Sequence, residues 1–265
     1  MPKVSHKRRP YTSEVSEKQW KRLKWMLPKQ MGAGRPQELD LRSIMNAILY
    51  VLVTGCQWRN LPNDYPNPNS VYYHYRKWCL DGTWQRLNRK LVWLERRRAG
   101  RFARPSAGLI DSQSVKVSDR GGLSGYDGGK QIKGRKRHLL TDTLGNLLEV
   151  VISAANLNDR QGAKVLMTKL ERQMARRLLK IWVDKGYRGD LDVWFAEQWQ
   201  IALEVVEADA EQKGFAVQPR RWVVERTFAW FGKFRRLSKD YEVDPISSEG
   251  FIYLASIRLL LNRLA

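Results

Sequence analysis

The chain has 265 residues, enough to bury a full core as one large domain or as a main domain with a smaller companion. Its 48 Lys and Arg against 27 Asp and Glu leave a formal charge of +21, which attracts polyanions and makes nucleic acid the leading partner. Two cysteines without His at zinc-ligand spacing argue against a disulfide scaffold or a zinc site, and apolar runs as short as Ile48 to Val53 argue against a bilayer span.

The opening MPKVSHKRRPYTSE is basic but lacks the apolar stretch of a secretory signal, so a cytoplasmic protein is expected. Residues 1–104 hold 22 basic and 7 acidic side chains, net +15, and residues 105–265 hold only +6, so the front segment reads as the grip. Ser16 and Gln19 form a capping box ahead of Trp20, Leu23 and Leu27 at helical spacing, with Pro28 as the stop. Asp40 caps a second helix with Ile44, Ile48, Val51 and Leu52 on one face, ending near Gly55. Ser70 is the expected cap of a third, which carries Val71, Tyr72, Tyr75 and Trp78 with the basic pair Arg76 and Lys77. A fourth runs from about Thr83 through Trp84, Leu87, Leu91 and Leu94. Interleaved aromatic and basic residues on four helices suit a helix-turn-helix-like DNA-binding domain over residues 1–95, with Arg76 and Lys77 as DNA contacts. The run RRRAGRFARPSA, 96–107, reads as a basic linker.

From residue 108 the pattern changes to strands. GLIDSQSVKV reads as one strand and KRHLLTDTLGNLLEVVIS as a hairpin turning at Leu144, Gly145 and Asn146. Asn158 or Asp159 caps a helix to about Arg177, followed by the short apolar strand LLKIWVD, a helix over 190–199 and the strand IALEVV. Pro219 opens a long helix through Arg236, and Ser248 stands near the start of a last one through Leu264. The order of three strands, helix, strand, helix, strand and two helices predicts an α/β catalytic domain over 108–265. Its architecture is a ribonuclease-H-like mixed sheet flanked by helices.

Three carboxylates carry the chemistry. Asp111 follows Leu109 and Ile110 inside a strand-like segment, where an acid costs several kcal/mol by order of magnitude unless paired or metal-bound. Asp184 ends the apolar strand LLKIWV, at the carboxyl end where open sheets bind ligands. Glu225 sits in RRWVVERTFAW, one turn after Arg221, on a helix expected to dock on the sheet. Any one acid alone could be an ordinary ion pair; three on three elements suit divalent metal ions and phosphodiester chemistry. Asp159 ranks next and is read as a helix cap. His6, His74 and His138 read as surface or DNA-contacting residues.

The glycine-rich stretch Gly125 to Arg137 reads as a mobile loop whose Lys130, Lys133, Arg135, Lys136 and Arg137 hold a phosphate backbone. It is not a nucleoside-triphosphate loop, because Ser124 stands where the first Gly must be and Gln131 follows Lys130; no nucleotide cofactor is expected. On the long helix, Arg226, Trp230 and Lys233 share a flank beside that of Glu225 and join Arg221 as candidate DNA contacts.

Four ordered blocks resemble the DDE-type transposases of bacterial insertion sequences, in particular the insertion sequence 5 family. They are LIDSQSVK at 109–116, GYDGGKQIKGRKRHLLTDTLG at 125–145, VDKGYRG at 183–189 and RRWVVERTFAWFGKFRRLSKDYE at 220–242. The resemblance places the family's acidic triad on Asp111, Asp184 and Glu225. The related signature Tyr-x2-Arg-x3-Glu-x6-Lys is matched at Arg221 and Glu225, whereas Gln218 and Gly232 replace its Tyr and Lys, with Lys233 one residue late. It implies two Mg²⁺ or Mn²⁺ ions per site, binding to the element's inverted-repeat ends, hydrolysis that frees a 3′-hydroxyl, and attack by that hydroxyl on double-stranded target DNA. A homodimer or higher assembly on DNA is expected, and no membrane. A nuclease on the same fold and a non-catalytic DNA-binding regulator are the alternatives.

Overall fold

The computed structural model describes residues 9–28, 40–119, 122–206 and 222–265. Four helices come first: α1 (Glu17–Leu23), α2 (Leu41–Thr54), α3 (Pro68–Leu80) and α4 (Thr83–Arg98). Their starts follow local chemistry. Ser16 and Gln19 make the reciprocal capping box, and Asp40 accepts from the backbone N–H groups of Arg42 and Ser43. Gly55 closes α2 in the left-handed conformation at φ 72°. The cap of α3 is Asn67, not Ser70, because Pro68 fits the first helical position and Asn67 accepts from Asn69 N–H. Helix α1 stops at Leu23, well before Pro28.

The sheet follows with β1 (Ala107–Lys116), β2 (Gly125–Asp127), β3 (Ile132–Asp142) and β4 (Leu147–Ala154). Then come α5 (Asp159–Lys169), a single turn α6 (Arg172–Ala175), β5 (Lys180–Val183), α7 (Leu191–Trp199) and β6 (Ala202–Val205). Helices α8 (Trp222–Phe231) and α9 (Pro245–Leu264) complete the described elements. Strand β3 pairs antiparallel with β1 on one side and with β2 and β4 on the other, while β1, β5 and β6 run parallel. The result is the expected mixed sheet with flanking helices. The helix foreseen from 159 to 177 is instead broken at Leu170, and α8 ends at Phe231 before a short 3-10 turn at Arg235–Leu237.

Helix α9 is the shared core element. Asp244 caps it and Pro245 takes its first turn, three residues before Ser248. It packs on α4, α3 and α2 and on β4, with Phe251, Leu254, Ile257 and Leu261 fully buried. At the α3 contact Gly250 is required by space, since a β-carbon there would lie 2.5 Å from Cys79 Sγ. The segment 96–107 is not a free linker at its start: α4 runs through Arg98, and Arg96 is buried, pairing with buried Asp142 at 2.5 Å. A buried guanidinium needs such a partner, and Asp142 also organises the β3–β4 turn by accepting from the N–H groups of Leu144 and Asn146.

The glycine-rich stretch is also corrected. Residues 125–127 and 132–137 lie in strands, and β3 is covered by neighbours on both edges.

Candidate active site

Parallel pairing of β1 and β5 sets the site. Leu109 stands opposite Trp182, and two residues farther along come Asp111, within β1, and Asp184, just past the end of β5. Both acids line one small cleft with Ile110, Val183, Val206 and Val224. Each is half-buried, and each has one oxygen held by backbone: Asp111 Oδ1 accepts from Ser112 N–H at 2.7 Å, and Asp184 Oδ1 from Gly186 N–H at 2.8 Å. Asp184 thereby caps the 3-10 turn Lys185–Tyr187. Glu225 lies in the first turn of α8, exposed, next to the buried Val224 that closes the cleft.

A fourth acid joins this end of the sheet. Asn158, not Asp159, caps α5, accepting from Gln161 N–H, which leaves the Asp159 carboxylate to turn toward β1. Its Oδ1 accepts from Ser112 Oγ at 2.8 Å and pairs with Lys136 Nζ at 3.1 Å. Gly186 fits between the acids: a β-carbon there would lie 3.1 Å from Asp184 Oδ1 and 3.9 Å from Asp159 Oδ2. Tyr187 is buried beneath them. Its burial, then the charges of Asp111, Asp159 and Asp184, push the phenol well above its ordinary range, so it stays neutral.

The donor set is all carboxylate, the hard-oxygen chemistry of Mg²⁺ and Mn²⁺, and neither cysteine lines this cleft. Among the described residues, no group of three or more Asp, Glu, His or Cys side chains is close enough to hold an ion as placed. Asp111 and Asp184 share the cleft, and α8 carries Glu225 beside it.

The expected DNA contacts divide. Lys77, Lys130, Lys133 and Lys233 are exposed. Arg135, Lys136 and Arg137 are buried, contrary to their reading as a phosphate-gripping loop. Arg135 donates to the carbonyls of Leu123, Glu242 and Val243 and pairs with Asp240, while Arg137 donates to Leu237 O. Lys136 is spent on Asp159 and on Leu157 O. Arg76 ties α3 to α9 through Asp244 and Ser247. Arg226 is stacked between Trp222 and Trp230 at 4.2 and 4.5 Å and donates to Leu144 O, and Trp230 also carries Arg263 at 4.5 Å. Arg221 and His6 lie outside the described residues. His138 is fully buried, its Nε2 2.9 Å from Ser153 Oγ, so it is neither a surface nor a DNA-facing residue.

Sequence reading missed Ser112, Lys136 and Tyr187 as parts of the acidic end. The Lys-Gly-Tyr that follows Asp184 was the available signal for Tyr187.

A mixed sheet with two acids in register at a strand-end cleft agrees with the family comparisons. Residues 103–260 match the family described as "Transposase DDE domain", and residues 15–88 match "Putative transposase of IS4/5 family". The chain belongs to the DDE transposases, of the IS4/5 type, a family that implies a ribonuclease-H-like fold and dependence on divalent metal. A curated relative, "Putative transposase for insertion sequence element IS402" from Burkholderia cepacia, is 30% identical over 121 residues, 41% of this chain and 54% of the relative. The match thus spans about half the length of that relative. No solved structure matches the chain. Among the described residues, no helix is long and apolar enough to cross a membrane.

Proposed function

We propose that this protein cuts DNA at the inverted-repeat ends of an insertion sequence and joins the freed 3′-hydroxyl to double-stranded target DNA. The observation that carries the reading is the registered pair Asp111 and Asp184 at one cleft of two parallel strands. Asp111, Asp184 and Glu225 are the residues that hold divalent metal, two Mg²⁺ or Mn²⁺ ions in this reading. When bound, such ions activate the attacking oxygen and stabilise the leaving one. The chain does the rest. Backbone N–H groups of Ser112 and Gly186 fix one oxygen of each of these two acids, Asp111 and Asp184. Lys136 offsets negative charge at Asp159, and Tyr187 offers a neutral phenol under the acids. Residues 1–95 recognise the ends as a helical DNA-binding domain, with Lys77, Lys130, Lys133 and Lys233 on the phosphate backbone.

Strand cutting on a duplex bearing one element end tests this. Asp111→Asn, Asp184→Asn and Glu225→Gln each keep shape but remove a metal-binding charge, so each should abolish cutting while end binding stays within about twofold. Cutting near the parental rate by any one removes that residue from the site, full turnover in chelator removes the metal, and cutting without joining reduces the protein to a nuclease.

A further inference from the structure

The acidic cleft uses one end of the β1 and β5 pair; a second cavity lies at the other end. It measures about 540 Å³ and is lined by Trp93, Arg97, Arg101, Phe102, Arg104 and Arg177. Arg104 and Arg177 each stand three residues before the strands begin. The turn that builds it is set by Gly100, which adopts φ 68° after α4. Gly100 N–H bonds Arg97 O at 3.0 Å and Arg101 N–H bonds Arg96 O at 2.8 Å, the paired bonds that fold a chain back over a helix end. From beneath, buried Arg96 donates through Nε to Phe102 O at 2.8 Å. The loop is therefore anchored, yet Phe102 remains 74% exposed.

Its side chains offer donors without carboxylate partners, and Arg177 Nη1 reaches only Arg104 O, at 3.5 Å. Among the described residues none of Arg97, Arg101, Arg104 and Arg177 pairs with a carboxylate, while Glu95 and Glu171 are already engaged by Arg98 and Arg89. Trp93 Nε1 and Arg104 Nε are buried without an acceptor. The flat surfaces are equally specific: Arg177 lies 4.0 Å over the Phe102 ring, and Arg89 and Arg104 each lie 5.9 Å from the Trp93 ring. A ligand that answers both features carries several anionic oxygens and a planar ring. A nucleic acid strand does so; an acidic peptide supplies the charge without the ring.

We propose that this cavity is a second DNA-binding place, where guanidiniums take phosphate oxygens and one unstacked base lies against the Phe102–Arg177 pair. It deepens the proposed function by adding a strand contact at the opposite end of the β1 and β5 pair from the acids, and it requires binding whether or not the strand is cut. Fluorescence anisotropy of the full chain tests it, using a blunt duplex and the same duplex with a three-nucleotide single-stranded extension across a salt series. The variant R97A/R101A/R177A should bind both duplexes on the order of 10- to 100-fold more weakly and lose roughly 2–3 from the salt slope, because three phosphate contacts go. F102A should lose roughly tenfold only on the extended duplex, with an unchanged slope, because it removes stacking and no charge. If the triple variant melts early, R101A alone carries the test with a slope loss of about 1.

Unchanged affinity and slope in the arginine variants overturns the site, and equal losses of F102A on both duplexes overturns the base contact. D111N, run beside them, should bind as the parent does. Binding effects as stated in a protein that cuts nothing would sink the proposed function and leave this cavity standing.

Discussion

Gly162 of α5 lies against the imidazole of His138 on β3: a β-carbon at Gly162 would stand 2.1 Å from Cε1 and 2.4 Å from Nδ1. His138 has nowhere to go, being fully buried with Nε2 on Ser153 Oγ. This contact sets how close α5 approaches the sheet, and Asp159 lies three residues earlier on the same helix. Gly162→Ala should therefore destabilise the protein by about 1–3 kcal/mol despite the better helix propensity of alanine, as overpacking does. A thermal melt should show a fall of roughly 5 °C, with slower cutting as Asp159 shifts. An unchanged or higher melting temperature would mean that the helix backs away at no cost.

Two buried groups give the stability a readable pH dependence. Burial pushes the Glu149 carboxyl up to about 7 from 4.5, against the opposing pull of Lys169 and of hydrogen bonds from Tyr253 and Val150 N–H. The folded state thus holds a proton that the unfolded state has released, and stability falls as pH rises from 4.5 to 7. His138 works in the other direction. Burial lowers it from 6.5 to about 4, so stability is complete above 6.5 and is lost as pH falls toward 4. Glu149→Gln keeps an acceptor for Tyr253 and Val150 but cannot ionise. Its stability relative to the parent should rise by on the order of 2–3 kcal/mol between pH 5 and 7 and then level off. Urea midpoints at pH 5, 6, 7 and 8 check this; a constant offset across the series would show that Glu149 does not titrate in that window.

Basic residues of one short stretch should fail in two different ways. Lys133 is exposed on β3, so Lys133→Ala should weaken binding to any duplex and lower the salt slope by about 1, with no change in melting. Arg135, two residues on, is fully buried on Asp240 and three carbonyls. Arg135→Ala should cost about 3–5 kcal/mol of folding stability by leaving Asp240 charged and underpaired. Anisotropy and denaturant unfolding on both variants separate the roles, and equal effects on binding with equal stability would erase the distinction.

That contrast also shows what the sequence made legible. The meeting of Asp111 and Asp184 at one cleft could be read because each is an acid in or just after an apolar strand, and the capping signals at Ser16, Gln19 and Asp40 are local. The cap of α3 was less determinate, since PNPNS offers several capping side chains and only Pro68 at the first turn selects Asn67. Arg135 and Arg137 were read as exposed because their partners lie about a hundred residues away, at Leu237 to Val243, and no local pattern announces them. Asp159 beside Asn158 is the same problem in miniature. Either can cap a helix, and only the packing of α5 on β1 and β3 shows which one is left for Ser112 and Lys136.

The last prediction concerns assembly. In the proposed reaction, joining two element ends to one target takes two active sites, and each chain has one set of the proposed residues Asp111, Asp184 and Glu225. At least two protomers should therefore gather on DNA. Helix α9 supplies no ready contact for this, because Phe251, Leu254, Ile257 and Leu261 are already buried against α2, α3, α4 and β4. A charge of +21 opposes self-association at low salt, whereas DNA phosphates neutralise that repulsion over a screening length of about 10 Å at 0.1 M salt. The free protein should be a monomer, and addition of an end-bearing duplex should produce a species with two protomers. Mass measurement by light scattering, with and without duplex, checks both halves. A stable dimer without DNA would locate the contact on protein surface alone, and paired-end joining by a species of one protomer would refute the requirement for two sites.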